Sequence, residues 1–331
     1  MSAAAAGAGE LLSVRGLTIG FPAAGGLLLA ADRIDFDVGA GRTVGLVGES
    51  GCGKSVTLRS LLGLVPYPGD VLAGEIRWRG EDLLSASAQR QAALRGTEIS
   101  MIFQDPTACL NPVFTVGNQM VETLRRRAGL GKRAARERAV ELLDRVGLPS
   151  PEKRLAAYPH ELSGGMRQRV MIALSIATRP RLLLADEPTT ALDVTTQEQI
   201  LALLKELQAE EGMAIVLVSH DLGVISETCD EVVVMYAGRM LEAGFDREVM
   251  RAPRHPYTRG LIEAMPSLEV SDEKPPVPIP GQPPNLAALP PGCPFQPRCE
   301  FARAECEQIP VVLDAALAEH GSACPFVGAP V

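Results

Sequence analysis

Thr43-Val44-Gly45-Leu46-Val47-Gly48-Glu49-Ser50-Gly51-Cys52-Gly53-Lys54-Ser55-Val56-Thr57-Leu58 reads as a buried strand, a glycine-rich turn and the opening of a helix. Backbone N–H groups of such a turn and of the helix start converge on phosphate. Lys54 adds a fixed positive charge for the β- and γ-phosphates, and the Ser55 hydroxyl suits Mg²⁺, a hard cation that wants oxygen ligands. The binding residues expected here are Gly48, Glu49, Ser50, Gly51, Cys52, Gly53, Lys54, Ser55 and Val56.

Working outward, Leu182-Leu183-Leu184-Ala185-Asp186-Glu187 places two carboxylates at the end of an apolar strand, where α/β sheets bind ligands. Asp186 is expected to serve Mg²⁺, and Glu187 to act as general base on the attacking water, a role worth about 10²–10⁴ in rate. Leu162-Ser163-Gly164-Gly165-Met166-Arg167-Gln168 opens a helix over Met166 to Ala177 and makes a second anion-binding helix start.

Strands at Ile99 to Phe103, Arg181 to Ala185 and Ala214 to Val218 alternate with helical pattern over Val116 to Val146 and Thr195 to Gln208, which predicts a parallel sheet covered on both faces. Leu11 to Val14 and Ile34 to Val38 predict an antiparallel layer ahead of it. The chain has 331 residues, enough for a large domain and an appendage. A formal charge of −8 and a pI near 5.2 argue against general nucleic-acid binding. Arg125-Arg126-Arg127 with Lys132-Arg133 reads as the solvated face of a helix. The N-terminal alanine run lacks the basic flank of a secretory signal and no apolar stretch is long enough to cross a bilayer, so a cytoplasmic chain is expected.

Together these motifs resemble the ATPase subunits of ABC transporters. The resemblance implies an α/β P-loop NTPase over residues 1–250, with a helical subdomain at about 105–163 and a cysteine-rich extension at 251–331. It implies that Gln104, in Phe103-Gln104-Asp105-Pro106, contacts Mg²⁺ and couples nucleotide to a membrane partner. It also matches Ala191-Leu192-Asp193 to the D-loop, His220 to the switch histidine that reaches the γ-phosphate, and Phe21 to the aromatic that stacks on adenine. Lys54, Gln104, Glu187 and His220 are the implied catalytic set. Ser163, Gly164, Gly165 and Asp193 would close on ATP held by a second ATPase subunit, a copy or a paralogue.

Of the seven cysteines, Cys293, Cys299, Cys306 and Cys324 have five, six and seventeen residues between them. Four thiolates in a reducing compartment suit zinc or an iron–sulfur cluster, and spacing alone does not choose. Lys274 to Pro291 is proline-dense and reads as a linker or draped loop. His255-Pro256-Tyr257-Thr258, Gly281-Gln282-Pro283-Pro284-Asn285 and Gly292-Cys293-Pro294-Phe295-Gln296-Pro297-Arg298-Cys299 resemble the extension of oligopeptide/dipeptide importer ATPases. That resemblance implies a structural [4Fe–4S] cluster, with zinc as the alternative. It further implies two permease subunits, a solute-binding protein, and a peripheral place on the cytoplasmic face of the bacterial inner membrane, reached only through the permeases. An importer ATPase for nickel or another small solute carries the same motifs. A soluble ABC-type ATPase acting on DNA or ribosomes is disfavoured by the acidity and by the lack of a long coiled-coil or zinc-module insertion.

Overall fold

The computed structural model describes residues 10–23, 25–189, 193–265, 276–313 and 320–326. The chain divides into two compact units, one of residues 1–86 with 217–331 and one of residues 87–216.

In the first unit an antiparallel sheet runs in the order Gly26–Gly39, Glu10–Ala23, Asp70–Trp78, Glu81–Asp82. Its apolar residues alternate as period two requires: Leu12, Val14, Leu17, Ile34, Phe36 and Ile76 are fully buried. The first two strands are far longer than the short runs visible in sequence. Register shifts near Val14, Leu17 and Ile19 absorb the breaks in alternation, so pairing continues through Gly16 and Gly20.

A second sheet of this unit carries the strands Gly321–Ser322, Arg239–Phe245, Glu231–Tyr236 and Thr43–Val47 in that order. Thr43–Val47 pairs in parallel with Glu231–Tyr236, Val47 opposite Val234, and is buried at every residue. A strand buried on both faces reads as a continuous apolar run, as it does here. Gly321–Ser322 pairs with Arg239–Phe245, so the end of the chain returns to the sheet.

The second unit holds a parallel pair, Ile99–Ile102 and Leu182–Asp186, with Ile102 opposite Ala185. Its helices include Val116–Arg127, Lys132–Arg145, Gly164–Ile176 and Val194–Glu211. The helical run expected from Val116 to Val146 is broken in two. Gly129 takes φ 69° and Gly131 caps the second helix, a left-handed step that ends the first one. Val116, Met120 and Leu124 form the buried stripe of Val116–Arg127, and Arg126 pairs with Glu122 at 2.7 Å on its solvated side. The strand Ala214–Ser219, buried throughout, crosses the sequence boundary between the units. Among the described residues no helix is long and apolar enough to cross a membrane.

Candidate active site

The turn after Thr43–Val47 is built on left-handed glycines: φ is 148° at Gly48, 79° at Gly51 and 104° at Gly53. Space enforces two of them. A Cβ on Gly48 would lie 2.0 Å from the Met235 carbonyl oxygen, and one on Gly53 would lie 2.2 Å from that of Ala30. Gly53 caps the helix Lys54–Ser60, behind which Ser55 and Val56 are half-buried, while Ser50 and Gly51 lie exposed at the tip. Lys54 is only 4% exposed; its Nζ donates to the carbonyls of Gly48 (2.6 Å) and Glu49 (3.0 Å). An ammonium held by two carbonyls inside an anion-binding turn can exchange them for phosphate oxygens. Cys52 is buried beside it, and burial pushes its thiol pKa up.

In residues 87–216, the buried strand Leu182–Asp186 ends in Asp186, fully buried, and the chain then turns at Glu187 with φ 48°. A non-glycine residue held there stores about 1–3 kcal/mol, a strain that clusters at functional sites. Gln104 Nε2 donates to Glu187 Oε2 at 3.1 Å, so the residue after the Ile-Phe strand and the expected base meet. Their parallel strands end side by side, which is why they can.

Ser163 caps Gly164–Ile176, its Oγ accepting from the Met166 N–H at 3.3 Å; Ser163 and Gly164 are exposed and Gly165 is half-buried. Five residues past Ser163, the Gln168 side chain donates to the Pro188 carbonyl, joining this helix to the segment that follows Glu187. Asp193 caps Val194–Glu211 and is exposed; bonds from the Thr196 N–H and hydroxyl, the N–H first, hold its carboxyl below the usual range. Ala191 and Leu192 lie outside the described residues.

In the first unit, His220 is exposed immediately beyond Ala214–Ser219. Asp221 donates its N–H to Ser219 Oγ (2.9 Å) and caps Leu222–Thr228 through Gly223 (2.8 Å), fixing the backbone around His220. Phe21 is half-buried opposite Leu28, its ring against Gly69, where a Cβ would come within 2.3 Å of the ring. Only a glycine leaves that ring its place.

Residues 31–190 match the ABC transporter family, and residues 241–306 match the Oligopeptide/dipeptide transporter, C-terminal region family. The dipeptide transport ATP-binding protein DppD of Bacillus subtilis is 46% identical over 301 residues, 91% of this chain and 90% of its own. The oligopeptide transport ATP-binding protein OppD of Haemophilus influenzae is 47% identical over 300 residues, 91% of this chain and 92% of its own. The chain belongs to the ABC transporter ATP-binding subunits. Among solved structures, a dimeric ATP-binding cassette in a post-hydrolysis state with ADP and Pi superposes at a TM-score of 0.65, with 27% identity, over 72% of this chain and 99% of that one. This ABC ATPase therefore hydrolyses ATP, with Mg²⁺ as the accompanying cation. The donors expected for the cation, the Ser55 hydroxyl, Gln104 carboxamide and Asp186 carboxylate, are all oxygen donors and fit a hard ion.

The C-terminal cysteines of the ABC ATPase share one place. Cys293, Cys299, Cys306 and Cys324 all line a single cavity of about 420 Å³, together with His255 and Phe295. Cys293 N–H donates to the Cys306 carbonyl at 3.0 Å, and Gly292 (φ 68°) permits that approach, since a Cβ there would sit 2.1 Å from the same oxygen. Among the described residues no three His, Cys, Asp or Glu side chains are grouped to hold a metal ion. Burial pushes the Cys293 thiol up to about 11 and raises Cys299 and Cys324.

Residues that sequence reasoning gave no role also touch the phosphate loop. Tyr257 Oη accepts from the Glu49 N–H at 2.9 Å, and Arg298 pairs with the Glu49 carboxylate through two nitrogens, at 2.6 and 3.0 Å. The stretches His255 to Thr258 and Gly292 to Cys299 that carry them were visible as resemblance motifs, but nothing local linked them to a loop more than two hundred residues earlier.

Proposed function

We propose that the chain is the ATP-hydrolysing subunit of a bacterial ABC importer for di- or oligopeptides. The observation that carries the substrate class is the match of residues 241–306 to the C-terminal region of oligopeptide/dipeptide transporters, beside close to half identity with DppD and OppD along nine-tenths of the chain. Residues 1–250 are the nucleotide-binding domain, with a helical subdomain at about 105–163, and 251–331 its extension. The loop Gly48 to Val56 takes the phosphates, Lys54 supplies charge, Ser55, Gln104 and Asp186 serve Mg²⁺, and Phe21 stacks on adenine. Glu187 is the general base and His220 reaches the γ-phosphate; the 3.1 Å bond from Gln104 supports a carboxylate held ready to accept a proton. Ser163, Gly164, Gly165 and Asp193 close on the nucleotide of a second ATPase subunit, so ATP drives closure and its hydrolysis drives opening. Two permeases and a solute-binding protein complete the importer, and the subunit meets the inner membrane's cytoplasmic face only through the permeases. The four C-terminal cysteines hold a [4Fe–4S] cluster, or zinc as the alternative, as a structural staple; their shared cavity and thiol softness support this.

The test is Glu187→Gln, which keeps the size of the side chain and its bond to Gln104 but cannot take a proton. MgATP binding and dimerisation should persist while turnover falls by about 10²–10⁴. Undiminished hydrolysis would remove Glu187 from its role. Reconstituted with its permeases and binding protein, the wild type should hydrolyse ATP faster when given di- or oligopeptides; stimulation by nickel alone would overturn the substrate reading.

A further inference from the structure

A glutamate in a loop that grips a polyanion is an electrostatic liability, and in this chain every polar group of Glu49 is held. Its N–H donates to Tyr257 Oη at 2.9 Å. Its carbonyl accepts from Lys54 Nζ at 3.0 Å and from the Cys52 N–H at 3.3 Å. Its carboxylate lies in a two-pronged pair with Arg298. The arginine side chain is 6% exposed and is itself fixed: Nη1 donates to Tyr236 Oη at 3.1 Å and Nε to the Pro280 carbonyl at 2.8 Å. Tyr257 is fully buried, its ring 4.6 Å from that of Tyr236 and 5.2 Å from that of Phe295. Arg298 follows Phe295 by three residues and precedes Cys299, so the cysteine-bearing extension and the loop are joined by the most specific side-chain pair an arginine makes.

We infer that Arg298 is a positioning residue of the nucleotide loop: it neutralises the Glu49 carboxylate and, with Tyr257 holding the Glu49 amide, keeps the turn open to phosphate. The inference rests on Gly48 to Val56 being the loop that binds ATP. A fork whose arginine is nearly buried cancels the charge of the half-buried carboxylate more fully than surface screening would. Removing the arginine leaves a negative charge in the anion site, whereas removing both partners leaves none. A mere staple for the extension makes a different forecast: losing the arginine then lowers stability and leaves MgATP affinity unchanged.

The experiment titrates MgATP into the full-length chain by calorimetry, with thermal melting as the check on folding. Arg298→Gln should weaken MgATP binding about tenfold, and Glu49→Gln added to it should restore affinity to within about threefold of wild type. Unchanged affinity in Arg298→Gln, or a double variant as weak as the single one, overturns the inference. If Arg298→Gln does not fold, Tyr257→Phe is read instead: it keeps the aromatic packing and loses only the hydroxyl, and should weaken binding about threefold. Unchanged affinity there overturns the inference as well. Lys54→Ala is the control for the loop itself; wild-type affinity in that variant would refute the loop assignment, a failure distinct from that of the Arg298 pair.

Discussion

Acid should loosen the seam between extension and sheet through one histidine. His255 is 2% exposed; its backbone N–H donates to Glu242 Oε2 at 2.8 Å, and its ring Nδ1 accepts from the Tyr257 backbone N–H at 3.0 Å, capping the helix Pro256–Glu263. A ring nitrogen that accepts carries no proton, and burial lowers the His255 pKa to about 3. The unfolded chain titrates near the ordinary value of about 6.5, so between about pH 6.5 and 3 the unfolded state holds the extra proton and stability falls with pH. Linkage puts the loss at about 2 kcal/mol on going from pH 7 to pH 5. Other charged groups crowd the site: Glu242 is also bonded to His320 at 2.6 Å and to the Arg254 N–H, so a whole-chain acid effect alone would not isolate the histidine. His255→Asn does, because asparagine caps a helix well and does not titrate. Urea unfolding of both proteins at pH 7, 6 and 5 should show the variant losing about 2 kcal/mol less than the wild type over that range. Parallel losses in the two proteins would refute the argument.

A carboxylate runs the other way. Asp246 is 4% exposed, its Oδ1 has no hydrogen-bond partner among the described residues, and burial raises its pKa to about 6. Here the folded state holds the extra proton, so stability falls as pH rises from about 4 to 6; Asp246→Asn should raise stability at pH 8 by about 1–2 kcal/mol after the loss of a charge at a helix start, with the gain nearly gone at pH 4 in thermal melts. For the cysteines, anaerobically purified wild type should carry a brown visible chromophore that Cys293→Ser removes, and a colourless wild type with stoichiometric zinc would overturn the iron–sulfur reading.

What could be read in advance was whatever the chain writes locally. The strand, glycine turn and lysine of residues 43–54 occupy one stretch, and φ 148° and 104° at Gly48 and Gly53 are what those glycines are for. Leu182–Asp186 is legible for the same reason, a buried run ending in carboxylate. The helix break at Gly129 was not, because apolar periodicity continues on both sides of a four-residue step. The Glu49–Arg298 pair spans 249 positions with no periodic signal between them. The four cysteines from 293 to 324 suggested a metal site, and the structure sets all four around one cavity, but count and spacing say nothing of whether the thiols close on one centre.

These long-range contacts change how the extension is understood. His255 caps the helix that carries Tyr257, and Tyr257 holds the Glu49 amide, so one short relay runs from a buried cap to the phosphate loop. Arg298 reaches the same residue from the cysteine-bearing segment, by a path that includes neither His255 nor Tyr257. The two routes are separable. His255→Asn should alter acid sensitivity while leaving the Arg298 fork intact, whereas Arg298→Gln should alter MgATP affinity at neutral pH with the cap untouched. If both substitutions shifted acid stability and nucleotide affinity together, the extension would act on the loop as one rigid block rather than through two separate contacts.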